Sequence, residues 1–408
     1  MKILYFHQHF STPQGATGIR SFEMAKKLLA HGHQVTMVCG SYSGGNTGLT
    51  APFINGQRRG IVENIEVIEF ELDYSNSQTF LQRTAAFMRF AYRSIRLALT
   101  KDYDIAFATS TPLTAALPGI IARWVRKKHF ILEVRDLWPG LPKAMGVIKN
   151  PIVLSLLAAL EWLAYKSAHG HIGLSPGITQ GIEKHLASNK KVVTIPNGCD
   201  LDIFATQQEA WQPEGIKETD FVAVFSGTHG QANGLDKLLD AAQVLKRNDS
   251  DGIKIVLIGQ GKLKEELKQR AKIEQLDNIV FLPPVSKTKL SALMQRANVG
   301  LQILANIPAF YYGTSPNKFF DYIAAGLPVI CNYPGWLAEL ISQHQCGIAV
   351  PADDAEKLAG ALIHLSENRE LLPIMSDNAL TLAKSQFDRQ QLTEQQVSYI
   401  EESYHNHG

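Results

Sequence analysis

The sequence predicts an α/β protein of two doubly wound, Rossmann-like domains facing across a cleft. Three observations lead there. Short apolar strands alternate with longer helices along the chain, the pattern of βαβ units and a parallel sheet. The alternation halts at a polar stretch, Asp200–Thr219, which carries Pro213 and Gly215, and restarts at Phe221. At 408 residues the chain is also long for one hydrophobic core.

In the first half the expected strands are Lys2–Phe6, Gln34–Val38, Ile65–Glu69, Ile105–Ala108, Phe130–Val134, Gly170–Leu174 and Val192–Ile195. Helices are expected at Ile19–His31, Thr79–Thr100, Thr114–Lys127, Ile152–Ser167 and Gly177–Ala187. In the second half strands Val222–Ser226, Ile253–Ile258, Ile279–Leu282 and Gly300–Leu304 alternate with helices Leu235–Lys246, Lys262–Ala271 and Lys287–Ala297. A last strand, Ile348–Val350, precedes two amphipathic helices, Ala355–Glu367 and Gln390–Tyr404. Asp200–Thr219 reads as the linker.

Composition narrows the class. Hydrophobic residues at 45% with 19% charged describe an ordinary globular chain, and a net charge of +2 gives no reason to expect nucleic acid. Cys39, Cys199, Cys331 and Cys346 are scattered, which suggests a reducing compartment and neither a disulfide framework nor a zinc site. No apolar run reaches the ~18–20 residues of a membrane span, and the N-terminal apolar stretch is too short for a signal peptide. A cytoplasmic protein is expected. No zinc-protease, serine-hydrolase or P-loop pattern occurs.

Ligands of open parallel sheets sit beyond the carboxyl ends of the strands, so the loops there hold the candidates. Ser11–Arg20 follows the first strand and opens a helix; Gly15 and Gly18 would let backbone approach a ligand, and Arg20 adds charge. Arg135 and Asp136 in Glu133–Pro139 follow a buried-looking strand and read either as a salt bridge or as part of a site. Gly227, Thr228, His229 and Gly230 follow the first strand of the second half, and Gly259 and Gly261 follow the next. The turn Ile195–Asp200 reads as structural, with Asn197–Gly198 supplying positive backbone angles.

Ser315–Ile330, SPNKFFDYIAAGLPVI, is the most telling segment. Ser315 and Pro316 resemble a helix start, the helix is apolar nearly all round, and Gly326 with Pro328 ends it. Lys318 and Asp321 stand three apart near its N-terminus. They read either as a surface ion pair or as a cation for phosphate beside an acid for ribose hydroxyls.

Taken in order, these motifs resemble glycosyltransferase family 4, the retaining nucleotide-sugar enzymes of the GT-B fold. The similarity is greatest to bacterial polysaccharide and O-antigen enzymes carrying an R-D-L-W-P segment. The resemblance rests on the glycine loop with Arg20, EVRDLWP, IPNGCD with Phe204, the glycine loop at Gly227, the GxG turn and SPNKFFDYIAAGLPVI. It implies an acceptor-binding domain, 1–203, completed by a C-terminal helix at about 388–408, and a donor-binding domain, 204–387.

It also implies the site. The family's E-x7-E places Asp321 at the second acid, which accepts ribose hydroxyls, and puts Gly313 where the first acid stands. The family's arginine and lysine after the first strand of the donor domain are here Thr228, His229 and Asn233. Phosphate charge then falls to Lys318, assisted by Arg20 or Arg135, with Lys318, Arg135 and Asp136 as catalytic candidates. Gly15, Gly18, Arg20, Gly227, Thr228, His229, Gly261, Val285, Thr314, Ser315, Asn317, Lys318 and Asp321 are the donor-site candidates. No metal or other cofactor is expected.

The implied reaction moves a hexosyl group, of glucose or N-acetylhexosamine type, from a UDP-sugar to a saccharide or polyprenyl-diphosphate-linked acceptor in cell-surface polysaccharide assembly. Configuration is retained by front-face attack. The alternative is a degenerate GT-B protein that binds a nucleotide-sugar or glycan without catalysis. A peripheral membrane contact is a further expectation. On Thr79–Thr100, Gln82, Arg89, Arg93 and Arg96 gather on one arc, with Phe80, Phe87, Met88, Ala91, Ile95 and Leu99 opposite.

Overall fold

A computed structural model describes residues 1–15, 17–75, 78–186, 192–206 and 208–406. The expected helix end at Ala187, Gln207 of the polar stretch, Ala16 of the first loop and the last two residues lie outside these. The chain divides into two bodies. One comprises Met1–Pro196, Gly313–Ser315 and Gln390–Gly408; the other comprises Asn197–Tyr312 and Pro316–Arg389.

The first body is built on β1 (Lys2–Phe6), β2 (Gln34–Gly40), β3 (Gln57–Val62), β4 (Ile65–Phe70), β5 (Ile105–Thr109), β6 (His129–Val134), β7 (Gly170–Gly173) and β8 (Val192–Thr194). Their order is β3-β4-β2-β1-β5-β6-β7-β8, parallel except where β3 runs antiparallel to β4. Winding goes outward from β1 to β4 and then reverses to β5, so β1 and β5 flank the switch point. Strands such as β5 and β6 are buried throughout because helices cover both faces. On one side Phe90, Ile120 and Tyr165 pack over Leu4 and Phe6; on the other Phe22 and Leu28, with Val397 and Ile400 of the C-terminal helix, pack near Ile3 and Tyr5. β3 was not foreseen: it is an edge strand with alternating half-exposed residues and two arginines, so no apolar run marks it.

The second body holds β9 (Phe221–Ser226), β10 (Ile253–Ile258), β11 (Ile279–Leu282), β12 (Val299–Gln302), β13 (Val329–Cys331) and β14 (Gly347–Ala349). They are all parallel in the order β11-β10-β9-β12-β13-β14, with the switch point between β9 and β12. Phe221, Ala223, Phe225, Leu238, Leu257 and Leu301 lie in its core.

Three expectations are corrected. The helix in Ser315–Ile330 spans Asn317–Ala324 with Pro316 as its N-cap, and no side chain caps it, so Ser315 is not the cap. Its end does follow the glycine rule: Gly326 has φ 69°, and Leu327 N–H returns to the Tyr322 carbonyl. Asn197 and Gly198 are not among the residues with positive φ. The 197–200 segment is instead a buried strap, fastened by Cys199 N–H to the Phe387 carbonyl and by Arg389 N–H to the Cys199 carbonyl. The polar stretch is not a free linker at its start, because Leu201–Phe204 is a helical turn with Phe204 fully buried.

Candidate active site

In the second body two glycine turns pack backbone against backbone at the carboxyl edge of the sheet. Gly227 (φ 151°) and Gly259 (φ 147°) follow β9 and β10, and a Cβ on Gly259 would lie 1.9 Å from the Gly227 carbonyl oxygen. A Cβ on Gly261 would fall 2.4 Å from the His229 carbonyl oxygen. Glycine is therefore required by the approach of one loop to the other. His229 N–H bonds the Gln260 carbonyl, and its buried ring stands near Phe225 and Phe281 with neither nitrogen partnered. Burial, with Lys264 and other cations nearby, lowers this imidazole to about 4, so it is neutral near pH 7.

Lys318 reaches this glycine turn from the helix start. A Cβ on Gly227 would sit 3.5 Å from Nζ, and the ammonium lies 4.2 Å from the Phe225 ring centroid. It donates to Asn233 Oδ1 at 2.8 Å, while Asn233 Nδ2 donates to the Thr228 carbonyl at 2.7 Å. No carboxylate pairs with it among the described residues, and burial lowers its pKa to about 7. The surface ion pair with Asp321 does not form.

Asp321 has another neighbour. It is buried, and its Oδ1 accepts from Lys287 Nζ at 3.3 Å. Lys287 also bonds Asp200, which Arg389 holds from the other side. Burial raises the Asp321 carboxyl, with Lys287 opposing. Burial would raise Asp200 too, yet Arg389 and Lys287 bring it to about 2. Among the described residues the hydrogen bond to this carboxylate is to Oδ1 and none is made to Oδ2. Val285 is half-buried in the loop after β11, and Asn317 is the first residue of the Lys318 helix. Thr314 and Ser315 are half-buried and grouped with the first body. Gly313 is met by nothing within 4 Å of an added Cβ, so packing does not exclude a side chain there.

The first body separates its candidate cations. Arg20 is buried and held at three points: Nε bonds Glu133 Oε2 at 2.9 Å, and the two terminal nitrogens donate to the Pro196 and Ile195 carbonyls. It braces β6 against the end of β8, with three of its five N–H donors engaged in these bonds. Gly15 is boxed in, a Cβ there falling 2.1 Å from Ser11 Oγ, while Gly18 lies half-buried in the same loop. Arg135 and Asp136 are half-buried beyond β6, and neither side chain forms a hydrogen bond or ion pair among the described residues. Burial raises the Asp136 carboxyl, with Arg135 opposing. Ser110 Oγ accepts from Arg135 N–H at 3.2 Å, fixing this loop at the end of β5.

Two family models match the chain in succession. Residues 15–198 match the glycosyl transferase 4-like domain, and residues 206–381 match the glycosyl transferases group 1. The chain is a GT-B glycosyltransferase. The glycosyltransferase is 27% identical over 271 residues to a phosphatidyl-myo-inositol mannosyltransferase of Mycobacterium leprae, covering 62% of this chain and 68% of that one. Its fold is similar to sucrose-phosphate synthase from Thermosynechococcus elongatus (TM-score 0.75, 14% identity, 99% of both chains). It is also similar to Anabaena HepE in complex with UDP-glucose, with TM-score 0.70, 17% identity, and 99% of this chain and 100% of that chain covered.

Several groups at these sites carry no motif of their own. Asn233, read in the sequence only as standing in the segment of the family's arginine and lysine, orients Lys318 from one residue before Gly234 (φ 55°). Lys287 opens a helix far from Asp321 in sequence. In the first body the glycosyltransferase places His9 after β1 among Tyr42, Tyr74 and Phe87, with Nε2 unpartnered and its pKa lowered by burial to about 4. The Gln8 amide, Thr111 hydroxyl and Trp138 indole N–H, in loops after β1, β5 and β6, are also buried without partners among the described residues.

Proposed function

We propose that this glycosyltransferase moves a hexosyl group from a UDP-sugar to a saccharide or lipid-linked acceptor, with retention of configuration, in cell-surface polysaccharide assembly. The observation that carries the donor reading is the Lys318 ammonium, unpaired with any acid among the described residues and pressed against the Gly227 turn at the switch point. A diphosphate is the ligand that would use such a cation together with the free N–H groups at the start of the Asn317–Ala324 helix. In this reading Asp321 Oδ2 accepts a ribose hydroxyl. The bound UDP-glucose of HepE and the lipid acceptor in the name of the mycobacterial relative support donor and acceptor class.

The chemistry follows from charge. The bond between the anomeric carbon and the diphosphate oxygen breaks, and negative charge grows on the phosphate beside Lys318. The acceptor oxygen bonds the anomeric carbon on the same face, and its proton passes to the departing phosphate, giving UDP and the glycoside. Arg135 and Asp136, uncommitted beyond β6, are the proposed catalytic side chains of the first body. The partnerless Gln8, His9 and Thr111 groups suit a hydroxylated acceptor. No resident metal or cofactor is part of this reading. A peripheral contact of Phe80–Thr100 with anionic membrane also belongs to it.

Calorimetry with UDP and GDP, followed by transfer assays with UDP-glucose and UDP-N-acetylglucosamine, tests the proposal. UDP binding with single-turnover product is expected. Binding without product from any sugar donor would favour the non-catalytic alternative, and no binding would remove the donor-site assignment.

A further inference from the structure

Three helices of the first body lie side by side on one face of its sheet: Phe80–Thr100, Leu117–Val125 and Pro151–Ser167. Arg126 at the end of the second donates to the Ala98 and Leu99 carbonyls of the first. Trp124 Nε1 donates to Ser167 Oγ of the third at 2.8 Å. Their inward residues fill the core. Their outward residues do not look like a solvated surface.

Pro151–Ser167, PIVLSLLAALEWLAYKS, is the anomaly. Ile152 is 69% exposed, Leu156 66% and Trp162 51%, and on the neighbouring helix Trp124 is 53% and Val125 62% exposed. Leu99 continues the patch at the end of the first helix. Scattered exposed apolar residues are ordinary, whereas a row of them across adjoining helices marks a surface meant to be covered.

Charge identifies what covers it. The three helices contain one acid, Glu161, and it is buried. Around the patch Arg89, Arg96, Lys127, Lys149 and Lys166 are exposed. An apolar strip with interfacial tryptophans and a cationic rim is complementary to an anionic bilayer surface. No helix among the described residues is long and apolar enough to cross a membrane. We infer that the face formed by Pro151–Ser167 and Trp124, adjoining Phe80–Thr100, docks on anionic lipid, with Ile152, Leu156 and Trp162 entering the interface.

This goes beyond the contact proposed for Phe80–Thr100, because it assigns the apolar anchor to a different helix. That helix also carries a tether to the site. Glu161, on its inward face, accepts Trp138 N–H at 2.8 Å and the Tyr165 hydroxyl at 2.9 Å. The loop bearing Arg135 and Asp136 is thereby fastened to the docking helix.

Flotation of the full chain with vesicles tests the inference, using phosphatidylcholine alone and phosphatidylcholine mixed with phosphatidylglycerol. The protein should float with the mixed vesicles, and added salt should weaken this. The double variant Leu156→Glu/Trp162→Glu should lose roughly tenfold or more of its partitioning, and Lys149→Glu/Lys166→Glu should lose the preference for phosphatidylglycerol. The thermal shift caused by UDP, read on the same variants, should be unchanged; it reports folding and keeps the donor-site reading separate. The inference fails if the wild-type chain stays out of the lipid fraction or both double variants float like it. It also fails if lipid-free light scattering shows a dimer that Leu156→Glu dissociates, since a second copy would then cover the face.

Discussion

Lys318 concentrates the donor chemistry in one ionisable group. Its folded-state pKa, lowered by burial to about 7, lies below the ordinary lysine range. Folding therefore disfavours the ammonium, and a bound diphosphate must restore it. The sign follows: affinity for UDP-glucose, whose diphosphate does not titrate near neutrality, should fall by up to roughly tenfold per pH unit above about 7. Calorimetry at successive pH values in two buffers of different ionisation enthalpy should register proton uptake on the alkaline side. Lys318→Arg should flatten that dependence because guanidinium stays charged, and Lys318→Ala should lower turnover roughly a hundredfold or more by removing stabilisation of the leaving diphosphate. A pH-independent affinity with normal Lys318→Ala turnover would separate Lys318 from the phosphate. Asp321 calls for a different comparison. Wild-type protein should bind 2′-deoxy-UDP more weakly than UDP, and Asp321→Asn should narrow that difference; an unchanged ratio would leave the carboxylate with its Lys287 contact alone.

At the scale of elements, the glycine turns show which local rules could be read from the chain. Strand β1 and helix Ala355–Glu367 were legible to the residue because apolar periodicity and caps agree there. Gly326 was legible as a helix stop for the same reason, whereas Pro316, favoured at the first helical position, stands one residue earlier, at the N-cap. The glycines after β9 and β10 could be placed at strand ends, but only the fold reveals that they touch. That contact makes a prediction. Gly259→Ala puts a Cβ into the Gly227 carbonyl at positive φ, and should cost about 2–4 kcal/mol in denaturant unfolding and weaken UDP binding together. Gly252→Ala, whose Cβ meets nothing within 4 Å, is the control and should change neither by much. Equal effects from the two would mean that the close approach does not hold the site.

For the whole molecule, alternating strand and helix signals announced two doubly wound sheets, and each carries its candidates beyond the carboxyl ends of its strands. What sequence could not supply was pairing over long separations. Arg20 reads in the sequence as a cation of the first loop, and only the fold shows it bonded to Glu133 and to the carbonyls of Ile195 and Pro196. Asp200 looked like part of a turn, yet it is the centre of a buried charge group in the second body, between Lys287 and Arg389, with Asp321 beside Lys287. Breaking such a group leaves an uncompensated buried charge, which costs more than the pair itself is worth. Arg389→Met should therefore destabilise the protein by about 3–5 kcal/mol at neutral pH. Acid dependence identifies the cause. Asp200 has a folded pKa of about 2, below the ordinary carboxylate value of 3.8, so its contribution is complete above that value and is lost as pH falls toward 2. In Arg389→Met this part of the acid branch should flatten, because the main cation lowering the Asp200 pKa is gone. Denaturant unfolding from neutral pH down to about pH 3 measures both quantities. A loss under about 1 kcal/mol with an unaltered acid branch would show that this charge group does not hold the strap at 197–200 in place.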